Sequence, residues 1–449
     1  MNRGLKITFI TLLVVLIAII SFAGLFVQDT KFMKNLLPDY TFGMDLTGYR
    51  AVTVKVSDET NTVYYDKDGN EVDTEQKDGT SKKVPVNSAD VLTKDNYLTV
   101  KKMVQARLKE AGVSEYLVRL NENDGTMTVE IPEDNMTDTA SQLIYTIGKF
   151  TIEDEDGNVL LDNSNLDKVQ VGYSNQSSSG TSVYMSFIFN DDSVDKLKEI
   201  SNTYVSSTDE SGNTVEKKVS MKIDGTTLLQ TSFDEEIANG VLPISLGTSS
   251  DSETLSSYIE QASSTAVLLN NGPLPIKYTV DQNRYIKSDI ELQDFFIPAI
   301  VLGAILLIAF IVLIIKYKKL GILGIISYIG FIALLLVIVR YTNLVITIEG
   351  IFGILISAIL NYMLLVYILH SLKKKEKDLT VYKRSYNKSM LSMVLVLFPT
   401  LIIGIVLCFA QWLPIYSFGT IIFWGVLVMA IWNAIVTRIL FLSTIKENN

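Results

Sequence analysis

A few groups able to do chemistry interrupt long apolar runs in this chain. Asn361 and Asn433 lie deep inside two of the runs, Arg438 follows Asn433 by five residues, Glu349 stands near the start of a run and His370 at the end of one. In hydrocarbon such groups either bond to neighbouring helices or carry ions and protons, because an unpaired one is costly there. The two amides cannot take up and release a proton near neutral pH, whereas Glu349 and His370 can. His370 sits beside a cation-rich loop and reads as a solvated end residue. For Glu349, interfacial solvation competes with a proton-handling role. For Arg438, a snorkelling anchor competes with an intramembrane charge.

The single histidine and the single cysteine, Cys408, restrict the chemistry further. An intrachain disulfide and a Cys/His zinc site are excluded, and any histidine-dependent triad would need His370. Cys408 reads as a small apolar filler. Residues 28–293 hold no Gly-rich phosphate loop, metal-spaced acidic cluster or nucleophile elbow. The densest acidic run, Glu153-Asp154-Glu155-Asp156-Gly157, lacks the Glu that closes a calcium loop and reads as a solvated turn. No catalytic residue, metal or cofactor is expected.

The elements that must position these residues follow from hydropathy. Residues 7–27 form an uncharged run preceded by Arg3 and Lys6, long enough to cross a hydrocarbon core of about 30 Å. Ser21-Phe22-Ala23 offers small residues at a possible cleavage point, but the run continues beyond it, so retention as an anchor is the reading. Five further runs, 295–315, 320–339, 344–369, 390–410 and 417–440, give six spans in all. Lys316, Lys318 and Lys319 follow the second, and Lys373, Lys374, Lys375, Lys377, Lys383, Arg384 and Lys388 follow the fourth. The opposite connectors carry Arg340 alone, so the positive-inside rule predicts cytosolic termini and residues 28–293 outside. Asp294 marks the edge of the second span.

That outer block carries 24 basic and 44 acidic residues, which makes nucleic acid an unlikely partner class. It reads as an α+β region in two parts. Residues 51–56 and 126–131 alternate as strands, and Tyr97, Val100, Val104, Leu108 and Ala111 recur at helical spacing within 93–111. Residues 191–204 form a helix opened by an Asp191-Asp192-Ser193 cap, and 253–269 another, stopped by Asn270-Asn271-Gly272-Pro273-Leu274-Pro275. Asp224-Gly225 joins strands 218–223 and 226–230 in a hairpin, while 58–87 reads as a long hairpin tip or a loop. The expected division is a first span, 1–27; an extracytosolic base and head, 28–293; and a five-helix membrane domain, 294–449.

Certain segments resemble a known family. Phe42-Gly43-Met44-Asp45-Leu46-Thr47-Gly48 after the first span resembles the Gly-Leu-Asp-Leu-x-Gly-Gly segment of the bacterial SecD protein-export subunits, with Met44 and Tyr49 as departures. Ile223-Asp224-Gly225 resembles their head hairpin, the stretch through Gly272 and Pro275 their approach to the membrane, and Val436-Thr437-Arg438 their closing Val-Thr-Arg. The order of one span, outer domain and five spans is that of half a resistance-nodulation-division transporter. The resemblance implies an auxiliary, non-enzymatic subunit of the Sec machinery in the bacterial cell membrane. It would work with a SecF-type partner, the SecYEG channel and the SecA ATPase on unfolded preprotein, with possible coupling to the proton gradient.

The family's usual Asp-Ala-Asn of the fourth span aligns with Met363-Leu364-Leu365, and the fifth-span triplet with Leu395-Val396-Leu397. One turn of slippage would bring Asn361 or Tyr362 to the Asp position. An apolar replacement removes the titratable group, so a subunit that only scaffolds its partner is an alternative, as is an exporter half for lipids or small molecules. The residues through which coupling would act are Arg438, Glu349, Asn361 and Asn433; for both amides, packing glue between helices is the competing reading.

Overall fold

The computed structural model describes residues 3–29, 32–68, 70–72, 79–176, 180–205, 207–208, 214–215, 217–233, 235–288, 290, 292–373, 379–410 and 412–444. They form two compact units, Tyr49–Ile286 and the remainder, Met1–Gly48 with Lys287–Asn449. Residues 38–48 thus group with the helices and not with the sheet-rich unit.

Among the described residues, six helices are long and apolar enough to cross a membrane. The first five are Arg3–Ala23, Phe296–Tyr317, Lys319–Tyr341, Ile348–Lys373 and Leu379–Leu407. The sixth, Leu413–Trp432, continues through a π-helical turn, Asn433–Thr437, into Arg438–Leu442. The first span stops short of the end of its apolar run, because Gly24 takes φ +91° and strand Phe26–Asp29 follows, paired with Phe32–Asn35. The fifth starts eleven residues before its run. Lys383, Arg384 and Lys388, expected in a loop, are therefore helical, since Tyr382, Tyr386 and Ser389 supply a buried face that hydropathy alone does not register. Lys374, Lys375 and Lys377 lie outside the described residues.

The third and sixth spans are the most enclosed, and the second and fifth lie at the periphery. Small residues let backbones approach where the fourth and sixth spans meet. A Cβ on Gly425 would fall 2.1 Å from Ser357 Oγ, whereas one on Gly303 in the second span meets nothing within 4 Å. Gly425→Val should therefore cost about 1–3 kcal/mol through overpacking, read as a lower melting temperature in detergent. Gly303→Val should melt like the parent; equal melting of both variants would contradict this packing.

The sheet-rich unit contains two cores. In the first, strands Tyr278–Ile286, Tyr49–Val56, Met127–Pro132 and Leu117–Leu120 pair antiparallel in that order. Alternation turns Val52, Val54, Met127, Val129 and Ile131 inward against helices Lys94–Glu110 and Thr137–Tyr145. Thr93 starts the first of these helices, its hydroxyl accepting the Asn96 N–H. In the second core, two antiparallel sheets pack with helices Asp191–Thr203 and Ser252–Asn270. One sheet is ordered Val159–Asp162, Phe150–Glu153, Val219–Ile223, Thr226–Thr231; the other is Leu166–Gln176, Gly180–Phe189, Val241–Ser249.

Residues 58–87 take the hairpin alternative, Thr60–Tyr65 pairing antiparallel with Thr80–Pro85 and with Glu71–Val72. Two local expectations are corrected. Helix Asp191–Thr203 is preceded by Asn190 as its cap residue, without a side-chain bond, so Asp191 and Asp192 lie inside its first turn, where they favour the helix dipole. Gly272 to Pro275 joins helix Ser252–Asn270 to strand Tyr278–Ile286 inside the sheet-rich unit, and so does not lead directly into the second span. The acidic run is a hairpin turn whose Asp154 carboxylate accepts the N–H groups of Asp156 and Asn158.

Candidate functional site

Within the helical unit, Asn361 and Asn433 meet. Asn433 Nδ2 donates to Asn361 Oδ1 and to the Met429 carbonyl, both at 2.8 Å. Thr437 Oγ1 donates to Asn433 Oδ1 at 2.8 Å, and Ser327 Oγ lies 2.5 Å from Thr437 Oγ1. Trp432 Nε1 donates to the Ser327 carbonyl and hydroxyl at 2.8 and 3.1 Å. The Tyr386 hydroxyl donates to the Asn433 carbonyl at 2.5 Å, at the start of the π turn. A π turn of this kind resets the helix face, which carries Asn433 and Thr437 inward together.

The chain of bonds has one direction. Thr437 spends its only proton on Asn433, so Ser327 must donate to Thr437 and accept from Trp432. Every member is a hydroxyl, amide or indole, and none releases a proton near neutral pH. This arrangement locks the third, fourth and sixth spans together, each bond contributing about 1 kcal/mol on membrane-protein scales. Met363 is 60% exposed whereas Asn361 is 2% exposed, so the inward position of the fourth span belongs to Asn361. Two residues turn a helix by about 200°, which puts Met363 on the opposite face.

Other predicted residues stand apart from this chain. Arg438 and Val436 are half-buried at the far end of the sixth span, His370 is exposed and Cys408 is half-buried, its sulfur 3.5 Å from Thr420 Oγ1. Among the described residues, neither Arg438 nor Glu349 bonds into the amide network. Glu349 belongs to a second cluster at the start of the fourth span. There Gly43 N–H donates to the Ile346 carbonyl at 2.9 Å, Leu46 is buried, and Gly48 ends a short helix, Met44–Thr47, with φ +80°. Asp45 Oδ2 accepts the Ile348 N–H at 2.6 Å, and burial is the main cause raising the Asp45 carboxyl above the usual carboxylate range.

The burial of two arginines escaped the sequence reading; one of them, Arg340, expected in a connector, lies in the last turn of the third span. Arg340 donates to the carbonyls of Pro38, Ser21 and Phe22 and to Asp39. In the sheet-rich unit, Arg107 donates to the carbonyls of Leu143, Thr146, Ile147 and Gly272 at 2.6–3.2 Å. Burial lowers its guanidinium to about 10, partly opposed by Asp224. Asp224, in the hairpin with Gly225, accepts the N–H groups of Gly148 and Lys149 at 3.0 and 2.7 Å. Gly272 takes φ +72° in the same knot and Pro275 is exposed beside it. A signal for Arg107 exists in the sequence: it sits seven residues after Val100 and three after Val104, on the apolar stripe of its helix.

One span, a sheet-rich unit and five further spans define a multi-pass membrane protein with an inserted α+β domain. No family model matches the chain. It is 26% identical to the protein translocase subunit SecD of Petrotoga mobilis over 238 residues, 52% of this chain and 48% of that protein. With the SecD of Acidaminococcus fermentans it shares 23% identity over 257 residues, 57% of this chain and 55% of that one. A crystal structure of SecDF in a super-membrane-facing form matches with TM-score 0.55 and 16% identity, covering 98% of this chain and 57% of that chain. The chain spans about half the length of the curated relatives it matches. It is similar in sequence to the SecD translocase subunits over about half its length and has the fold found in SecDF.

Proposed function

We propose that this chain is a SecD-type auxiliary subunit of protein export that acts without catalysis of its own. It would assist late movement of unfolded preprotein beside the SecYEG channel and SecA, together with a SecF-type partner. The observation that carries the reading is the whole-chain fold match to SecDF, joined to sequence similarity with SecD over half the chain. In this reading both termini are cytosolic and residues 28–293 lie outside. Lys316, Lys318, Lys319 and Lys373 at one end of the spans, against Arg340 at the other, support that orientation.

Within the proposal, Asn361, Asn433 and Thr437 hold the spans together, and titratable groups of the partner carry any proton flow. Among the described residues no carboxylate bonds into the Asn361 network, which favours this scaffold form over a subunit conducting protons alone. Arg438 anchors the end of the sixth span. Affinity purification of the tagged chain in mild detergent, followed by mass spectrometry, tests the proposal. SecF and channel components should co-purify; their absence, with a lipid or small molecule retained instead, would move the assignment to an exporter half.

A further inference from the structure

The segment Gly43-Met44-Asp45-Leu46 is placed by backbone bonds, yet its carboxylate is only half satisfied. Asp45 Oδ2 accepts the Ile348 N–H, while Asp45 Oδ1 is buried with no partner among the described residues. Glu349, the residue after Ile348, also buries an oxygen, Oε2, without a partner. After burial and the Ile348 bond, the field of Glu349 is the next influence on the Asp45 carboxyl, and it raises it. Two buried carboxylate oxygens cannot satisfy one another while both groups are ionised. One proton satisfies both, because a protonated carboxyl donates where a carboxylate only accepts.

Among the described residues, no cation is one of the influences on the Asp45 carboxyl. From the third span, Arg340 is committed to Asp39 and to backbone carbonyls. From the segment before the second span, Ser288 donates its hydroxyl to the Asp45 carbonyl, and Lys287 beside it is exposed. From the sixth span, Ser417 donates to the Val345 carbonyl at 2.7 Å. On the fourth span itself, Thr347 Oγ1 accepts the Gly350 N–H at 3.1 Å. Glu349 is the charged group whose field acts on Asp45.

We propose that Asp45 takes up a proton and donates it to Glu349, forming an acid-closed clasp between residues 41–48 and the start of the fourth span. The sign follows from linkage. A carboxyl raised in the folded state binds a proton more tightly there than in the open state, so closure is favoured as pH falls and weakened as pH rises through the raised value. Above that value two like charges repel each other and residues 41–48 loosen. This clasp does not depend on the export reading, and its test does not involve export.

Hydrogen exchange of the full chain in detergent, corrected for intrinsic rates, tests it on peptides covering residues 41–48 and 344–351. Wild-type protection there should rise from pH 8 to pH 5, by at most tenfold for each unit of differential proton affinity. Asp45→Asn and Glu349→Gln, which mimic the neutral form, should each give high protection at both pH values. A flat wild-type profile, or a Glu349→Gln profile as steep as the wild type, would overturn the clasp. Peptides from the sixth span report whether each variant is folded, and if one is not, the wild-type profile decides alone.

Discussion

Arg340→Met is expected to lower stability by about 3 kcal/mol and to free the end of the first span, whereas Asp39→Asn should stay within about 0.5 kcal/mol of the parent. Arg340 is buried at the end of the third span. Its donors reach the Ser21 and Phe22 carbonyls in the last turn of the first span, where a helix leaves its carbonyls without internal partners. A positive charge at a helix C-terminus also opposes the negative end of the helix dipole. Nε holds the Pro38 carbonyl at 2.6 Å, the Tyr40 ring lies 5.4 Å away, and the Tyr40 hydroxyl donates to the same Ser21 carbonyl. Methionine keeps the bulk and abandons these acceptors. The ion pair to Asp39 contributes little, because that carboxylate is 95% exposed. Trp412, Trp424 and Trp432 are the only tryptophans and all lie in the sixth-span region, so fluorescence-monitored melting in detergent reads this unit alone. Equal losses from the two variants would show that the salt bridge, and not the carbonyl bonds, holds the first span.

Much of the architecture was legible because hydropathy and charge act over long windows. Six apolar runs gave six helices, and the alternation at residues 51–56 gave a strand with Val52 and Val54 inward. Boundaries were less legible where something other than hydropathy sets them. Gly24 stops the first span by its backbone conformation, and Tyr382 and Tyr386 extend the fifth by burying one face of an otherwise charged segment. Of the candidate residues, Asn361 and Asn433 could be paired only once the rotation of two helices was known. Their positions in sequence allow contact without requiring it. Met363 illustrates the difficulty: alignment by spacing selects it, and helical phase sends it outward. The buried arginines were hidden for a different reason. A charge is read as surface by default, and Arg107 and Arg340 depart from that default because carbonyls from distant segments surround them.

Arg107→Met should cost the sheet-rich unit about 3–5 kcal/mol, the range for removing one side of a buried charged interaction. The guanidinium is 0% exposed, and its carbonyl partners come from three places. Leu143 lies in helix Thr137–Tyr145, Thr146 and Ile147 in the chain leaving it, and Gly272 in the turn after helix Ser252–Asn270. These last two stretches are where the chain passes between the first core and the second, and Leu274 N–H closes them with a 2.9 Å bond to the Ile147 carbonyl. Asp224 ties the hairpin of the second core to the same point through Gly148 and Lys149. Lysine has three donors on a compact ammonium and cannot span the four carbonyls, so Arg107→Lys should recover less than half of the loss. Loss of the shared knot should also separate the cores: in urea, far-UV circular dichroism of the variant should show two steps for this unit where the parent shows one. No tryptophan lies between residues 49 and 286, which makes backbone signals the proper probe. A single step at the parental midpoint would mean that the two cores cohere through their apolar contacts and that Arg107 fills space without joining them.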